Sequence, residues 1–281
     1  MPTQSTSQTD PEYAGPAALQ AVQRTLHAHR ALLSALPGTF CQGRTFGFMN
    51  ANRHDALERL EQADWPARVL LHLPRTDSEM ICPPLAELGY ACDSPYDLLV
   101  GTAENVRCRT QALASSPLPP GWRTKPLHAD TPARHVRALQ MLQQDAGLTP
   151  VPGWVLRGLD GRTCTTLLMD STDAVRGAVS LQSLVFGSEP ASMGFGLCIA
   201  PEQVGRGLAQ RLNARAMAQA VEAGARWTME IVAPTGSASR RVNEACGLAR
   251  HPTDCFVFAQ RLQSTCSETA ATNTTTTTSN S

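Results

Sequence analysis

The stretch "MGFGLCIAPEQVGRGLAQRLNARAMAQAVEAG", Met193 to Gly224, decides the fold. An apolar run ends at Pro201, Gly205 and Gly207 flank Arg206, and an Ala-rich amphipathic pattern begins at Leu208. Leu208, Leu212, Ala216, Ala220 and Val221 recur at helical spacing on one face, and Gly224 fits a C-cap. The spacing therefore predicts a strand, a glycine turn and a long helix in immediate succession. A helix start carries unpaired N–H groups and a partial positive charge, and glycines let a ligand approach the backbone, so such a turn suits an anion.

Two familiar uses of this arrangement do not fit. A Walker loop needs Lys after its last glycine, and Leu208 follows Gly207. A dinucleotide fingerprint needs a third small residue where Gln210 stands, and it opens a parallel unit at the start of its domain.

Working outward, the region from Trp122 reads strand (WRTKPL), helix (PARHVRALQMLQQDAG), an irregular Pro/Gly/Trp segment, and strands TCTTLLMDS, VRGAVSLQSLVFG and SMGFGLCIAP. The polar turn after Ser171 predicts an antiparallel hairpin. After the long helix come strand RWTMEIVAP, short helix SASRRVNEACG and strand CFVFAQRL. The fold class is α+β, a mixed and largely antiparallel central sheet flanked by helices, preceded by a smaller N-terminal α/β domain.

That first part, 13–113, reads as helix from about Pro16 to Leu36, helix Asp55 to Gln62, strand ARVLLHLP, a helix interrupted at Pro83 and Pro84, and strand YDLLVG. Its end parallels the end of the second part: strand, Pro, helix, Gly, apolar residue, Ala, strand. An internal duplication explains this, as does any strand–helix–strand unit closed by a Gly C-cap. The Pro-rich segment 114–121 reads as a linker to the domain at 122–263. The polar head, 1–12, and the Thr/Ser-rich tail, 264–281, have too few apolar groups to offset ordering entropy and are expected to be disordered.

Lys+Arg and Asp+Glu both number 24, so no net field draws the chain to nucleic acid or an acidic membrane. Lys125 is the single lysine among many arginines and alanines, the bias of a GC-rich bacterial genome. The 9 scattered cysteines form no C-x-x-C pair, which points to reduced thiols in a cytoplasm rather than a disulfide framework or zinc site. No signal peptide opens the sequence, and no apolar run is long enough to span a membrane.

The segment from Trp122 to about Leu262 resembles the GCN5-related N-acetyltransferase (GNAT) superfamily. That family's loop, [QR]-x-x-G-x-[GA], is matched in "VGRGLA" by Gly207 and Ala209, with Val204 at the leading position and Gln203 one place before it. Downstream, "SRRVNEACGL" resembles S-x-x-x-Y-E-x-x-G-F through Ser239, Glu244 and Gly247, with Asn243 for Tyr and Leu248 for Phe.

By position, the resemblance implies that the N–H groups of Gly205, Arg206, Gly207, Leu208, Ala209 and Gln210 hold the pyrophosphate of acetyl-CoA. Leu197, Cys198 and Ile199 would pair their backbone with its pantetheine arm. Arg206 adds charge, and Arg240 and Arg241 are candidates for the 3′-phosphate. The reaction implied is attack of an amine on the thioester. Glu230, on strand TMEIV, is the first candidate base and Glu189 the second. Asn243 can donate a hydrogen bond to the departing sulfur but cannot transfer a proton, and the family's upstream asparagine falls on Gly236. Asp145, Trp154, Phe186 and Phe195 are candidate acceptor-side residues, each also suited to an ordinary surface or core role.

The expected protein is a cytoplasmic acetyl-CoA-dependent acyltransferase acting on a small-molecule or peptide amine, with no metal, nucleic-acid or membrane partner. Homodimerisation stays open. The alternatives are a catalytically degenerate CoA-binding sensor or scaffold, and an interaction protein whose glycine turn is structural.

Overall fold

The structure is a computed structural model describing residues 12–36, 38–49, 53–62 and 67–262. The expected head and tail lie outside the described residues, except Glu12. Its carboxylate is buried against the Arg157 guanidinium at 3.2 Å.

The first part contains α1 (Ala17–Ala28), α2 (Arg30–Ala35), β1 (Thr39–Cys41), β2 (Phe46–Phe48), α3 (Arg53–Gln62), β3 (Arg68–Pro74), α4 (Cys82–Glu87), β4 (Tyr90–Cys92), β5 (Tyr96–Thr102) and α5 (Ala103–Ser115). The second contains β6 (Arg123–Leu127), α6 (Ala133–Asp145), α7 (Gly153–Leu156), β7 (Thr163–Met169), β8 (Val175–Phe186), β9 (Glu189–Ile199), α8 (Leu208–Glu222), β10 (Trp227–Val232), α9 (Ser237–Ala245) and β11 (Ala249–Arg261). Pro83 and Pro84 sit in the first turn of α4, where a missing N–H costs nothing, rather than interrupting a longer helix.

Among the described residues, all the strands belong to one 11-stranded sheet, in the order β1-β2-β3-β11-β5-β10-β9-β8-β7-β6, with β4 on β11. This order is a palindrome about β11 and β5. From one side it runs through the antiparallel pair β8-β9, the parallel pair β9-β10, then β5 antiparallel to β10. From the other it runs through the antiparallel pair β1-β2, the parallel pair β2-β3, then β11 antiparallel to β3. Each half lends its last strand to the other, which is what duplication with exchange of terminal strands produces.

The segment expected to be a linker is therefore no break in the sheet. It follows α5, a helix the sequence pattern did not announce, which packs along α8. Arg215 donates to the Ala114 and Ser116 carbonyls at 2.8 and 2.6 Å, and Arg211 to that of Pro117 at 3.0 Å, fixing the segment to α8. Another tie is Asp97 on β5, which pairs with Arg75 of the first half and with Arg240 and Arg250 of the second at 2.5–2.9 Å.

The sheet has two covered faces. On one, Ala214 and Met217 of α8 pack with Val106, Val232 and Cys246. On the other, Phe40, Leu70, Met193, Met229 and Phe256 form a cluster, beside which α6 and α7 cover β7 to β9. Among the described residues, no helix is long and apolar enough to cross a membrane.

Candidate active site

β9 and β10 run parallel and paired only from Trp227–Ala191 to Glu230–Gly194. Past that point β10 stays on β5, with Ile231 opposite Leu98 and Val232 opposite Asp97, while β9 stays on β8. The two strands part, leaving the β10-facing edge of β9 without a strand partner. A bulge on β9, where Cys198 pairs with Ala178 and Phe195 with Ser180, enlarges the divergence. Gly196 lies inside it at φ +70°, a conformation that glycine adopts without strain. A cleft of about 710 Å³ fills the fork and is lined there by Gly194 to Ile199 and Glu230 to Ala233.

The cleft reaches Val204 and Ala209, the ends of the glycine loop. Gly205 and Gly207 have φ +85° and +69°, and space lies open where a side chain would stand on either. Among the described residues, the N–H groups of Gly205 to Gln210 have no acceptor, and the first closed bond of α8 runs from Arg211 N–H to the Gly207 carbonyl at 3.2 Å. Successive unpaired donors at a helix start form an anion site.

Neither a family model nor a curated protein sequence matches the chain. Solved structures do. A GCN5-related N-acetyltransferase from Kribbella flavida superposes with a TM-score of 0.51 at 13% identity, over 85% of this chain and 95% of its own. A tandem GNAT protein from the clavulanic acid biosynthesis pathway gives 0.52 at 16% identity, over 91% of each chain. A Drosophila protein gives 0.54 at 14% identity, over 86% of this chain and 88% of its own. The chain has the GCN5-related N-acetyltransferase fold. The match to a tandem protein over nearly the whole length agrees with the palindromic sheet.

Within this GNAT fold, the expected site residues separate. Leu197, Cys198, Ile199 and Ala209 line the cleft, whereas Gly205, Arg206, Gly207, Leu208 and Gln210 flank it through the loop. Phe195 lines it as well. Ala146 to Thr149, which also line it, are fixed by Gln143: its side-chain oxygen accepts from Val151 N–H at 2.9 Å and its carbonyl from Leu148 N–H at 2.8 Å.

Other expectations are not brought there. Glu189 lies at the opposite end of β9, accepting a hydrogen bond from Trp227 Nε1 at 2.6 Å. Trp154 is a core residue stacked on His27, and Phe186 packs edge-on against Trp227. Asp145 is exposed outside the cleft, Arg240 is taken up by Asp97, and Arg241 is exposed outside the lining. Asn243 is 0% exposed, its oxygen accepting from Asn213 at 2.8 Å and its nitrogen donating to the Ser239 carbonyl at 3.0 Å. It fastens α9 to α8 and does not reach the cleft, which corrects its expected role at the sulfur.

Glu230 stands at the fork, 8% exposed, and no described residue donates a hydrogen bond to it. Alternation along β10 puts it on the α8 face with Val232, opposite to Met229 and Ile231. Burial pushes its carboxyl up to about 8. Burial without a donor or a charged partner favours its neutral, proton-bearing form at neutral pH. Among the described residues, no cluster of side chains could hold a metal ion.

Proposed function

We propose that the protein transfers an acetyl group from acetyl-CoA to a primary amine, with the glycine loop and the β9–β10 fork as the acyl-donor site. The observation that carries this reading is the meeting, in one cleft, of parted parallel strands and a row of unpartnered N–H groups at the start of α8. The loop fits a diphosphate, and the free edge of β9 at Leu197 to Ile199 fits an amide-bearing arm. Backbone N–H groups at the bulge are the donors available to a thioester oxygen.

Glu230 supplies the proton that the leaving sulfur needs. A thiol titrates near 8.5, so a carboxylic acid held at about 8 is matched to protonate a departing thiolate. The amine attacks in its neutral form and yields its proton to solvent. The test is thiol release from acetyl-CoA with a panel of primary amines: amine-dependent release is expected, and none with any amine would contradict the reading. A CoA-binding protein without turnover is the second reading, favoured by the burial of Asn243 where the family places its tyrosine. Turnover of any amine removes it.

A further inference from the structure

The first half supplies one wall of the cleft, and that wall carries two arginines for which acetyl transfer alone has no use. Arg44 lies in the turn between β1 and β2, and Arg68 opens β3. The parallel pairing of Phe46 with Val69 brings these two positions together at the same end of the ladder. Both side chains line the cleft. Among the described residues, neither forms an ion pair. Arg44 donates to the Thr149 carbonyl, and the Arg68 guanidinium lies 5.0 Å from the centre of the Phe258 ring with its Nε buried and without an acceptor.

The lining carboxylates offset their charge only in part: Asp93 acts on Arg68 through its charge but forms no ion pair with it. Glu230 is protonated at neutral pH and faces α8, and Asp93 is exposed at the mouth, accepting from Tyr96 Oη at 3.3 Å. Burial first, and the charge of Arg68 second, lower Arg44 to about 10; a guanidinium keeps its charge at neutral pH. Arg44 also acts on the Cys198 thiol, which places its charge beside the fork. Two partly buried guanidiniums that repel each other are costly to hold without a counter-ion, and their planar donors match carboxylate and phosphate oxygens.

The faces of the sheet give this pair a place in the reaction. On β3, Arg68 shares its face with Leu70, which packs with Met193 and Met229 on the side away from α8. The glycine loop leads into α8 and Glu230 faces it, so the arginines stand across the fork from the acyl-donor side. We infer that the acceptor carries an anionic oxygen group, carboxylate or phosphate, in addition to its amine, and that Arg44 and Arg68 bind this group while the amine meets the thioester at the fork. The inference rests on the acetyl-transfer reading, and it makes the first half the acceptor site.

Calorimetric titration into the protein saturated with CoA tests it, using β-alanine, 4-aminobutyrate and 6-aminohexanoate, their primary amides, and O-phosphoethanolamine against ethanolamine. At least one anionic amine is expected to bind ten-fold or more tightly than its neutral counterpart. Arg44→Gln and Arg68→Gln should each abolish that preference while leaving CoA affinity within about two-fold, and Arg68→Lys should retain part of it. A carboxylate preference or a phosphate preference identifies the group. Equal binding of charged and neutral probes, a preference that survives both Gln variants, or no probe binding to a protein that does bind CoA would each overturn the inference. If CoA itself fails to bind, the acetyl-transfer reading falls separately. Inorganic phosphate alone then tests the arginines: binding lost in Arg44→Gln supports them as an anion site, and no binding rejects it.

Discussion

Glu230 and Gly194 face each other across the last pair of the β9–β10 ladder, and the carboxyl group fills the space that a side chain at 194 would need. A Cβ there would lie 2.0 Å from Glu230 Oε2. Gly194→Ala must therefore displace the carboxyl group or part the strands further. The expected cost is about 1–3 kcal/mol of stability, together with a fall in kcat that exceeds any change in acetyl-CoA affinity. Chemical denaturation and steady-state kinetics on the same variant check both.

Glu230→Gln separates acid from base. Loss of a positioned proton donor should lower kcat by roughly 10²-fold or more, with acetyl-CoA affinity little changed. An acid held near 8 gives wild-type kcat a decline above about pH 8, absent from the variant. A base would instead give a rise through that pH.

The same group has a stability signature. Its folded pKa, about 8, lies above its unfolded value of 4.5. Its contribution is therefore fully present below about pH 4.5 and is lost as pH rises toward 8, at up to ~1.4 kcal/mol per pH unit. Glu230→Gln should thus gain stability relative to wild type from pH 5 to 8 and level off above that, as measured by Tm across the pH range.

Asp97 has the opposite sign. Burial raises its pKa, but Arg240, Arg250 and Arg75 more than offset that and hold it below the usual carboxylate range. Its contribution is present above the unfolded value of 3.8 and is lost as pH falls through the depressed folded value. Asp97→Asn should destabilise by about 1–3 kcal/mol at pH 7, and by progressively less as pH falls below 4. Urea denaturation at pH 7 and at pH 3 checks the difference.

The strand exchange makes each half incomplete. Without β5, β10 loses its antiparallel partner from Trp227 to Val232, exposing a long apolar edge. Residues 122–281 alone should aggregate, whereas co-expression with 1–121 should yield a complex with the circular dichroism of the full chain. Cooperative unfolding of the isolated fragment would contradict this.

The second half was legible in the sequence because its elements are long and periodic: α8 keeps its apolar stripe, and β7, β8 and β10 meet the bounds their patterns suggest. β1 and β2 have three residues each, too few to show alternation. α5 went unread because Val106 and Thr110 are the buried positions on a surface of Arg, Gln and Ala, and the prolines after it read as a linker. The fork was hidden for a different reason. Where two strands stop pairing depends on their neighbours, here β5 and β8, and no local pattern records it. Glu230 was identified as a residue but not by its protonation, which burial sets. Arg44 and Arg68, far from any motif, became visible only when the first half closed onto the cleft.

Acetyl-CoA binding is the most direct test of the donor site. Isothermal titration of acetyl-CoA into the wild type and Gly207→Glu should show saturable one-to-one binding to the former and at least a hundred-fold loss in the latter. The substitution places a carboxylate among the N–H groups meant for phosphate, at a φ of +69° that costs an L-residue about 1–2 kcal/mol. Circular dichroism confirms that the variant is folded. Absence of binding to a folded wild type, or equal binding to both proteins, would contradict the assignment of the loop and fork as an acyl-CoA site.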